Sequence, residues 1–454
     1  MKPLYLAEIA RAVRGRVVNE AGIKIDSVFS DSRDPVPGGL FVALKGENFD
    51  GHDFIESLEN TGTAAVISET EKNVSMPQII VNNTTKAFGD LASYYRSQLG
   101  IPIAALTGSV GKTTTKEMMH RVLSAKYNTL KTRENENNYI GVSQTLFRIG
   151  EAHEAAVVEM GTNNPGEINA LSMLAKPDLA AITNIGVSHI ERFGSRENIL
   201  KEKLDILSGM KPGSKIVLNA DDAFLNTVKP DNFTPFYFGI KNKSADIFAE
   251  DISEYGARLS FYLNFHGTRQ KVIMPAIGVH NVYNALAAIM TGVLLGVSLS
   301  DAACSLARYE NVGMRQRVRE VSGIRVIEDC YNASPESVKA AMHLLVSRES
   351  GGKIAVLGDI LELGAYSQTA HRLVGEYVAG AKADALFTYG EASKTAAKTA
   401  SELGVKQVYS YTDPEELVKA LTDFVKEGDT VLFKGSRGMK MENLIENFYL
   451  MLKG

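Results

Sequence analysis

Apolar positions along this chain fall into two rhythms, short β-type runs and longer stripes at helical spacing, which alternate from one end to the other. In the first stretch, runs at 27–29, 40–44, 64–68 and 78–81 are separated by polar helical segments, which predicts a small α/β domain over residues 1–98. A second domain, residues 99–312, opens with an apolar run at 101–106 and an amphipathic helix to about residue 124. Buried-strand runs follow at 155–158 and 180–185, then a helix at 196–209 and β-type segments at 215–218, 236–239, 258–263 and 271–274. An apolar helix entered near residue 278 completes it. The third stretch, 313–454, has strands at 324–328, 354–357, 385–389, 407–411 and 431–434 with helices between them. That is the pattern of a doubly wound, Rossmann-like sheet.

The stretch Thr107-Gly108-Ser109-Val110-Gly111-Lys112-Thr113-Thr114-Thr115 joins the first strand of the second domain to its first helix. Glycines there allow successive backbone N–H groups to turn toward one anion, the helix start adds its positive end, and Lys112 adds a point charge. The Thr113 hydroxyl is placed to hold Mg²⁺. A standard P-loop would require glycine at position 106, where this chain has Leu106, so the loop is a short form, T-G-x-x-G-K-T. A glycine-rich turn with a chance lysine is the bland alternative. Strand, loop, Lys-Thr pair and helix agree instead on a P-loop ATPase-like central domain.

Composition narrows the function classes. A chain of 454 residues that is 44% hydrophobic is ample for ordinary globular cores, and its formal charge of -4 argues against a general nucleic-acid binder. Cys304 and Cys330 offer no metal-ligand cluster, and their small number suits a reducing cytoplasm. The N-terminal MKPLYLAEIARAVRG lacks the apolar centre of a signal peptide. The longest apolar run, 285–297, is interrupted by Thr291 and two glycines and is too short to span a bilayer, so no membrane insertion is expected. No G-x-S-x-G or H-E-x-x-H sequence occurs.

Candidate chemistry lies at the strand ends. Ser30-Asp31-Ser32-Arg33 and the stretch from Lys45 to His52 each follow a strand, and read either as anion-holding loops or as solvated turns. The Asn-rich segment 132–138 suits a polar contact surface. Glu159 ends one buried run, placed like a metal-holding acid beside the phosphate loop, and His189 follows the next closely enough to be a metal ligand or its neighbour. On the helix predicted at 196–209, Lys203 shares an apolar stripe with Ile199, Ile206 and Met210. Such a lysine either snorkels to water or has its pKa depressed by burial. Asn281 is a candidate cap of the apolar helix, and Asn284, one turn in, a candidate ligand contact. In the third domain the strand ends carry 329–335, 358–364 and 434–437.

In their order, TGSVGKTTT, EMGTNNPGEI, ITNIGVSHIERFGS, the Lys203 helix, GVHNVYNALAA, MRQ, EDCYNASPES, LGDILELG and KGSRGMKME resemble the Mur ligases, ATP-dependent amide-bond ligases of peptidoglycan precursor synthesis. The resemblance covers essentially all three domains. It implies ATP and Mg²⁺ as cofactors, and Lys112, Glu159, His189 and Lys203 as catalytic residues, with Thr113, Glu159 and His189 toward the metal. Lys203 matches a lysine that the family carbamylates with CO₂, and in that form it too would face the metal. Thr107 to Thr114, Asn281, Asn284, Arg315 and Asp329 are implied on the nucleotide, although a shift within Met314-Arg315-Gln316-Arg317 would put Arg317 in place of Arg315.

On the substrate side the resemblance implies Ser30, Asp31, Ser32 and Arg33 with Lys45, Asn48, Asp50, Gly51 and His52, then Asn135, Asn137, Asn138, Thr162 and Asn163. Tyr331, Asn332, Lys434, Ser436 and Arg437 are implied near the incoming amine or the reacting ends. Several motifs fit best the branch of the family that adds D-alanyl-D-alanine to UDP-N-acetylmuramoyl-tripeptide. A cytoplasmic monomer is the corresponding expectation. A sister ligase adding a single amino acid, a folylpolyglutamate-type synthetase and a nucleotide-dependent switch are the competing readings.

Overall fold

Three successive sheets organise the computed structural model, which describes residues 1–255, 258–310, 316–347 and 351–453. The first has five strands, of which Val28–Phe29, Leu40–Val42, Ala65–Ser68 and Gln78–Ile80 run parallel and Arg16–Val18 closes the edge antiparallel. Its strands are short because each apolar run is ended by a glycine, proline or charged residue within a few positions.

The second sheet has nine strands. Thr129–Lys131, Ala155–Glu159, Ile103–Thr107, Leu179–Ile182, Lys215–Asn219, Thr234–Gly239 and Ile247–Tyr255 are parallel in that spatial order, and Arg258–Phe265 and Thr268–Met274 continue antiparallel. Register aligns Leu106 with Glu159 and Thr107 with Ile182. The carboxyl ends of the central strands therefore finish at one edge, where an open parallel sheet receives its ligand. The third sheet has six strands, in the order Arg317–Val321, Ile324–Glu328, Thr430–Lys434, Lys353–Gly358, Ala385–Tyr389 and Gln407–Tyr411, with only the first pair antiparallel.

The first two units share packing. The helix Thr84–Ser97 carries Ala87, Phe88, Leu91, Ala92 and Tyr95 on one buried face, and that face belongs to a core that also contains Val142, Leu146 and Leu171 of the central unit. Asn83 caps its start through the Lys86 N–H (2.7 Å). Near its end Arg96 reaches the carbonyls of Ala175 (2.9 Å) and Leu99 (3.2 Å) and the carboxylate of Asp178 (2.8 Å), which also accepts the Ile103 N–H at the start of the central strand.

Two expectations from the sequence need correction. The helix carrying Lys203 is Arg196–Leu204 and does not continue to residue 209, because the chain tightens into a 3₁₀ turn at Asp205–Leu207. Ser172 causes the tightening: its hydroxyl donates to the Ile206 carbonyl (2.5 Å) and accepts the Gly209 N–H (2.9 Å). Ile206 is buried from that turn rather than from a helical stripe. The apolar helix is Val279–Leu294, and its cap position is Gly278, at φ 90°, so Asn281 lies inside the helix and caps nothing. No helix among the described residues is long and apolar enough to cross a membrane.

Arg96→Ala would take the donor from four carbonyls, those of Ala175, Leu99, Ile101 and Lys176, and from the Asp178 carboxylate at the joint between the first two units. Unfolding is expected to be easier by about 2–4 kcal/mol, read as a lower thermal midpoint of the full chain.

Candidate functional site

The strand Ile103–Thr107 and the helix Lys112–Leu123 are joined by a loop whose shape is set by the neighbouring strand end. Thr183 and Asn184 donate to the Val110 carbonyl (2.7 and 2.9 Å), Asn184 Oδ1 accepts the Val110 N–H (3.0 Å), and the Ser109 hydroxyl accepts the Gly186 N–H (2.8 Å). Gly108 must be glycine, since a Cβ there would fall 1.9 Å from the Thr183 hydroxyl. Gly111, at φ 83°, has its missing Cβ 2.7 Å from Asn284 Oδ1. Lys112 Nζ bonds back to the Gly108 carbonyl at 2.9 Å, curling over the loop.

The loop opens on a cavity of about 800 Å³ between the carboxyl edges of the second and third sheets. Ser109 to Thr114 form its floor. Glu159, only 1% exposed, stands beside it: Oε1 accepts from Thr113 Oγ1 (3.2 Å) and Asn137 Nδ2 (2.9 Å), while the buried Oε2 accepts no hydrogen bond. A threonine hydroxyl and a carboxylate with an unsatisfied oxygen form the hard-oxygen donor set that suits Mg²⁺. No three His, Cys, Asp or Glu side chains converge as a ligand cluster among the described residues. His189, also on the cavity wall and at φ 59°, gives Nδ1 to Glu362 of the third sheet's edge (2.5 Å). Burial lowers the His189 pKa, with Lys112 and Lys203 adding to the effect and Glu362 opposing it.

Lys203 is 4% exposed and lies behind the cavity wall rather than on it. Among the described residues no hydrogen bond or ion pair reaches its Nζ. Burial, then repulsion from Lys112, puts its pKa well below the ordinary lysine value, and Glu202 offsets part of this. That Glu202 is itself engaged, accepting from the Gly166 and Ile168 N–H groups (2.7 and 2.8 Å) and the Thr162 hydroxyl (3.2 Å), so it ties down the loop that brings Thr162 and Asn163 to the cavity.

On the opposite side Asn281 and Asn284 border the cavity, joined by a 3.1 Å hydrogen bond, and Thr115 donates to Asn284 (3.1 Å). Asp329 and Lys434 form a buried pair: Lys434 Nζ donates to Asp329 Oδ2 (2.8 Å) and to the carbonyls of Asp329 (3.2 Å) and Asn332 (3.1 Å). Tyr331 and Asn332 line the same wall. Arg315 lies outside the described residues. Arg317 is on the edge strand, half exposed and 3.9 Å from Glu328.

The sequence candidates of the first unit, and Ser436 and Arg437 of the third, are not on this cavity. Arg33 pairs with Asp31 (2.6 Å) in an exposed turn, and Ser30 accepts from Gln144 of the helix Tyr139–Phe147 (3.4 Å). Lys45 is 3.6 Å from Asp50, and His52 is pinned between Asp50 (2.6 Å) and the Glu69 N–H (2.9 Å). Gly51 packs its Cα face on Leu44, Ser32 is half-buried and Asn48 is exposed. Ser436 accepts the Leu361 N–H (2.9 Å), and Arg437 pairs with Glu442 (3.0 Å). Asn138 caps the helix Tyr139–Phe147 at the cavity rim, beside Asn135 and Asn137. Sequence reasoning missed Arg196, Asn219, Asp222, Gln316 and Glu336 on the cavity wall. Only Asn219, the last residue of its strand, carried a positional signal.

Three families describe successive parts of the chain: the Mur ligase family catalytic domain matches residues 24–111, the Mur ligase middle domain 106–292, and the Mur ligase glutamate ligase domain 314–437. The UDP-N-acetylmuramoyl-tripeptide--D-alanyl-D-alanine ligase of Bacillus subtilis (strain 168) is 39% identical over 449 residues, 97% of each chain. A crystal structure of MurF from Acinetobacter baumannii superposes with a TM-score of 0.92 over 99% of each chain, at 32% identity. The structure of MurF ligase from Thermotoga maritima in complex with ADP gives a TM-score of 0.83 at 29% identity, covering 94% of this chain and 98% of that one.

Lys434→Met would strand the Asp329 carboxylate in a nearly closed site. The expected loss is about 3 kcal/mol of stability in the third unit, measured by urea denaturation followed through its tyrosines.

Proposed function

The chain belongs to the Mur ligase family, and on that footing we propose that it adds D-alanyl-D-alanine to UDP-N-acetylmuramoyl-tripeptide, using ATP, in peptidoglycan precursor synthesis. The observation that carries the reading is the phosphate loop opening on a cavity shared with the strand ends of a second α/β sheet. A carboxylate carbon is a poor electrophile, so the tripeptide carboxylate first attacks the γ-phosphate, giving an acyl phosphate and ADP. The dipeptide amine then attacks the acyl carbon, a tetrahedral intermediate forms, and inorganic phosphate leaves. Both partners in the first step are anions, so the protein's task is chiefly to neutralise and align them.

Residues 107–114 would cradle the phosphates, with Lys112 supplying charge, and Asn281, Asn284 and Asp329 would hold the nucleoside end. Thr113 and Glu159, whose Oε2 lacks a donor, would hold Mg²⁺, which screens the repulsion between phosphate and carboxylate. His189 would act through its Nε2 near the same atoms, since Glu362 engages Nδ1. Lys203 is the residue proposed to carry a CO₂-derived carbamate: burial and Lys112 lower its pKa, which favours the amine form that reacts, and among the described residues no side chain bonds its Nζ. Residues 1–98, with the 30–33 and 45–52 loops, would bind the UDP end. Residues 99–312 would hold ATP, and residues 313–454, through Tyr331, Asn332, Lys434, Ser436 and Arg437, would present the dipeptide. A chain with only two cysteines, Cys304 and Cys330, suits a reducing cytoplasm, and a monomer is the corresponding reading.

Phosphate release measured while each substrate is omitted in turn should appear only when ATP, the UDP-tripeptide and an amine are all present, and D-Ala-D-Ala should outcompete single amino acids. Release driven by a single amino acid, or by a protein alone, would overturn the assignment. Lys112→Ala is expected to cost on the order of 10² to 10⁴ in turnover, with UDP-substrate binding retained in calorimetry. Lys203→Ala should be nearly inactive and partly rescued by a short-chain carboxylic acid. An active, unrescued variant would leave Lys203 as packing only.

A further inference from the structure

Lys116 stands one turn after Lys112 on the phosphate-loop helix and is 0% exposed, although nothing in the reaction above uses it. Its ammonium lies 3.3 Å from Glu117 Oε1 and 3.8 Å from Glu159 Oε2, and donates to the Glu134 carbonyl at 3.3 Å. Glu117 is bound at its other oxygen by Lys131, which is partly exposed. The remaining titratable neighbour, His120, bonds the Thr129 carbonyl (3.1 Å), and burial, reinforced by Lys131, lowers its pKa. Two lysines and two glutamates thus form a chain of alternating charge from the surface to the acid beside the phosphate loop.

A buried lysine is a costly way to fill space. An apolar residue of similar length would pack the same helix without desolvating an ion. A fixed cation beside a metal-holding carboxylate also repels the metal. Both costs make sense if the repulsion is the function. Without Lys116, Lys131 would still offset Glu117 but Glu159 would be left uncompensated, and one net negative charge beside the cavity would capture a divalent cation with no nucleotide present.

We propose that Lys116 is the standing countercharge of the Glu159 site, which keeps the nucleotide-free site electrically balanced so that a divalent cation enters only together with the triphosphate that compensates it. The inference rests on the assignment of Thr113 and Glu159 to the metal. Lys116 is a positioning and charge-setting residue, acting through Glu159 and the tethered Glu134 loop without touching substrate.

The test is Mn²⁺ binding to the full-length protein, followed by the electron paramagnetic resonance signal of the free ion, with and without ATP. Wild type should bind Mn²⁺ weakly alone and well with ATP. Lys116→Met, one positive charge fewer, should bind Mn²⁺ without nucleotide about tenfold tighter or more. The double variant Lys116→Met/Glu117→Gln restores the balance and should return toward wild type, a reversal that loss of packing would not produce. Unchanged or weaker nucleotide-free binding by Lys116→Met, with UDP-substrate binding intact, overturns the proposal. Should that variant fail to fold, Glu117→Gln alone leaves a positive excess and must raise the Mn²⁺ concentration that half-saturates the ATP-loaded protein; no rise overturns it as well. Absence of Mn²⁺ binding by wild type even with ATP would instead remove the metal assignment itself.

Discussion

The closeness of two strand ends governs this molecule. Thr107 and Ile182 are partners in register, so the loop leaving the first strand runs against the loop leaving the second at a distance only glycine tolerates at position 108. Thr183 and Asn184 then hold both the N–H and the carbonyl of Val110, and the Ser109 hydroxyl takes the Gly186 N–H. The curvature of the phosphate loop is thus imposed by tertiary hydrogen bonds, while glycine merely permits it. The same alignment puts Glu159, one strand over on the other side, level with the loop. A one-residue slip would send these side chains to the other face of the sheet and dismantle the site.

Legibility in the sequence follows the physics of each element. Fully buried parallel strands read clearly, since Ala155–Glu159 and Leu179–Ile182 are covered on both faces, although the run expected at 180–185 overshoots the strand end at Ile182. Ile247–Tyr255 did not: it alternates buried and exposed residues, is bulged between Glu250 and Ser253, and is acidic enough to pass for a loop. Arg317–Val321 is an edge strand with little burial, so its sequence owes little to the core. The early end of the Lys203 helix depended on a hydroxyl thirty-odd positions away in the chain, which no local pattern encodes.

For the candidate site, strand-end position located Glu159 and the phosphate loop, and a charged residue among apolar ones located Lys203. Pairings between residues far apart in the chain were invisible. His189 meets Glu362 across 173 residues and Lys434 meets Asp329 across 105. The 30–33 and 45–52 loops show another limit: composition suggests a ligand for the whole stretch, while within it His52 spends both ring nitrogens on Asp50 and the Glu69 backbone and so shapes the loop. Type and spacing do not separate these uses.

Four lysines around the cavity differ in what faces them, and the difference assigns their work. Lys434 has a carboxylate and two carbonyls, so its charge is consumed in joining strand ends. Lys116 lies between two glutamates and is balanced within the protein. Lys112 leans on a loop carbonyl, a weak partner that a phosphate can replace. Among the described residues no hydrogen bond or ion pair reaches the Lys203 amine, whose pKa is lowered by burial and by Lys112 against the opposing Glu202. A phosphate-loop lysine that a polyanion can engage and a buried lysine of lowered pKa are what the proposed ATP and CO₂ chemistry would respectively use. An acid placed against Lys203, as against Lys116, would stabilise its ammonium and oppose the lowering, so the surroundings of that amine bear on the proposed carbamate as much as the contacts elsewhere bear on the phosphate loop.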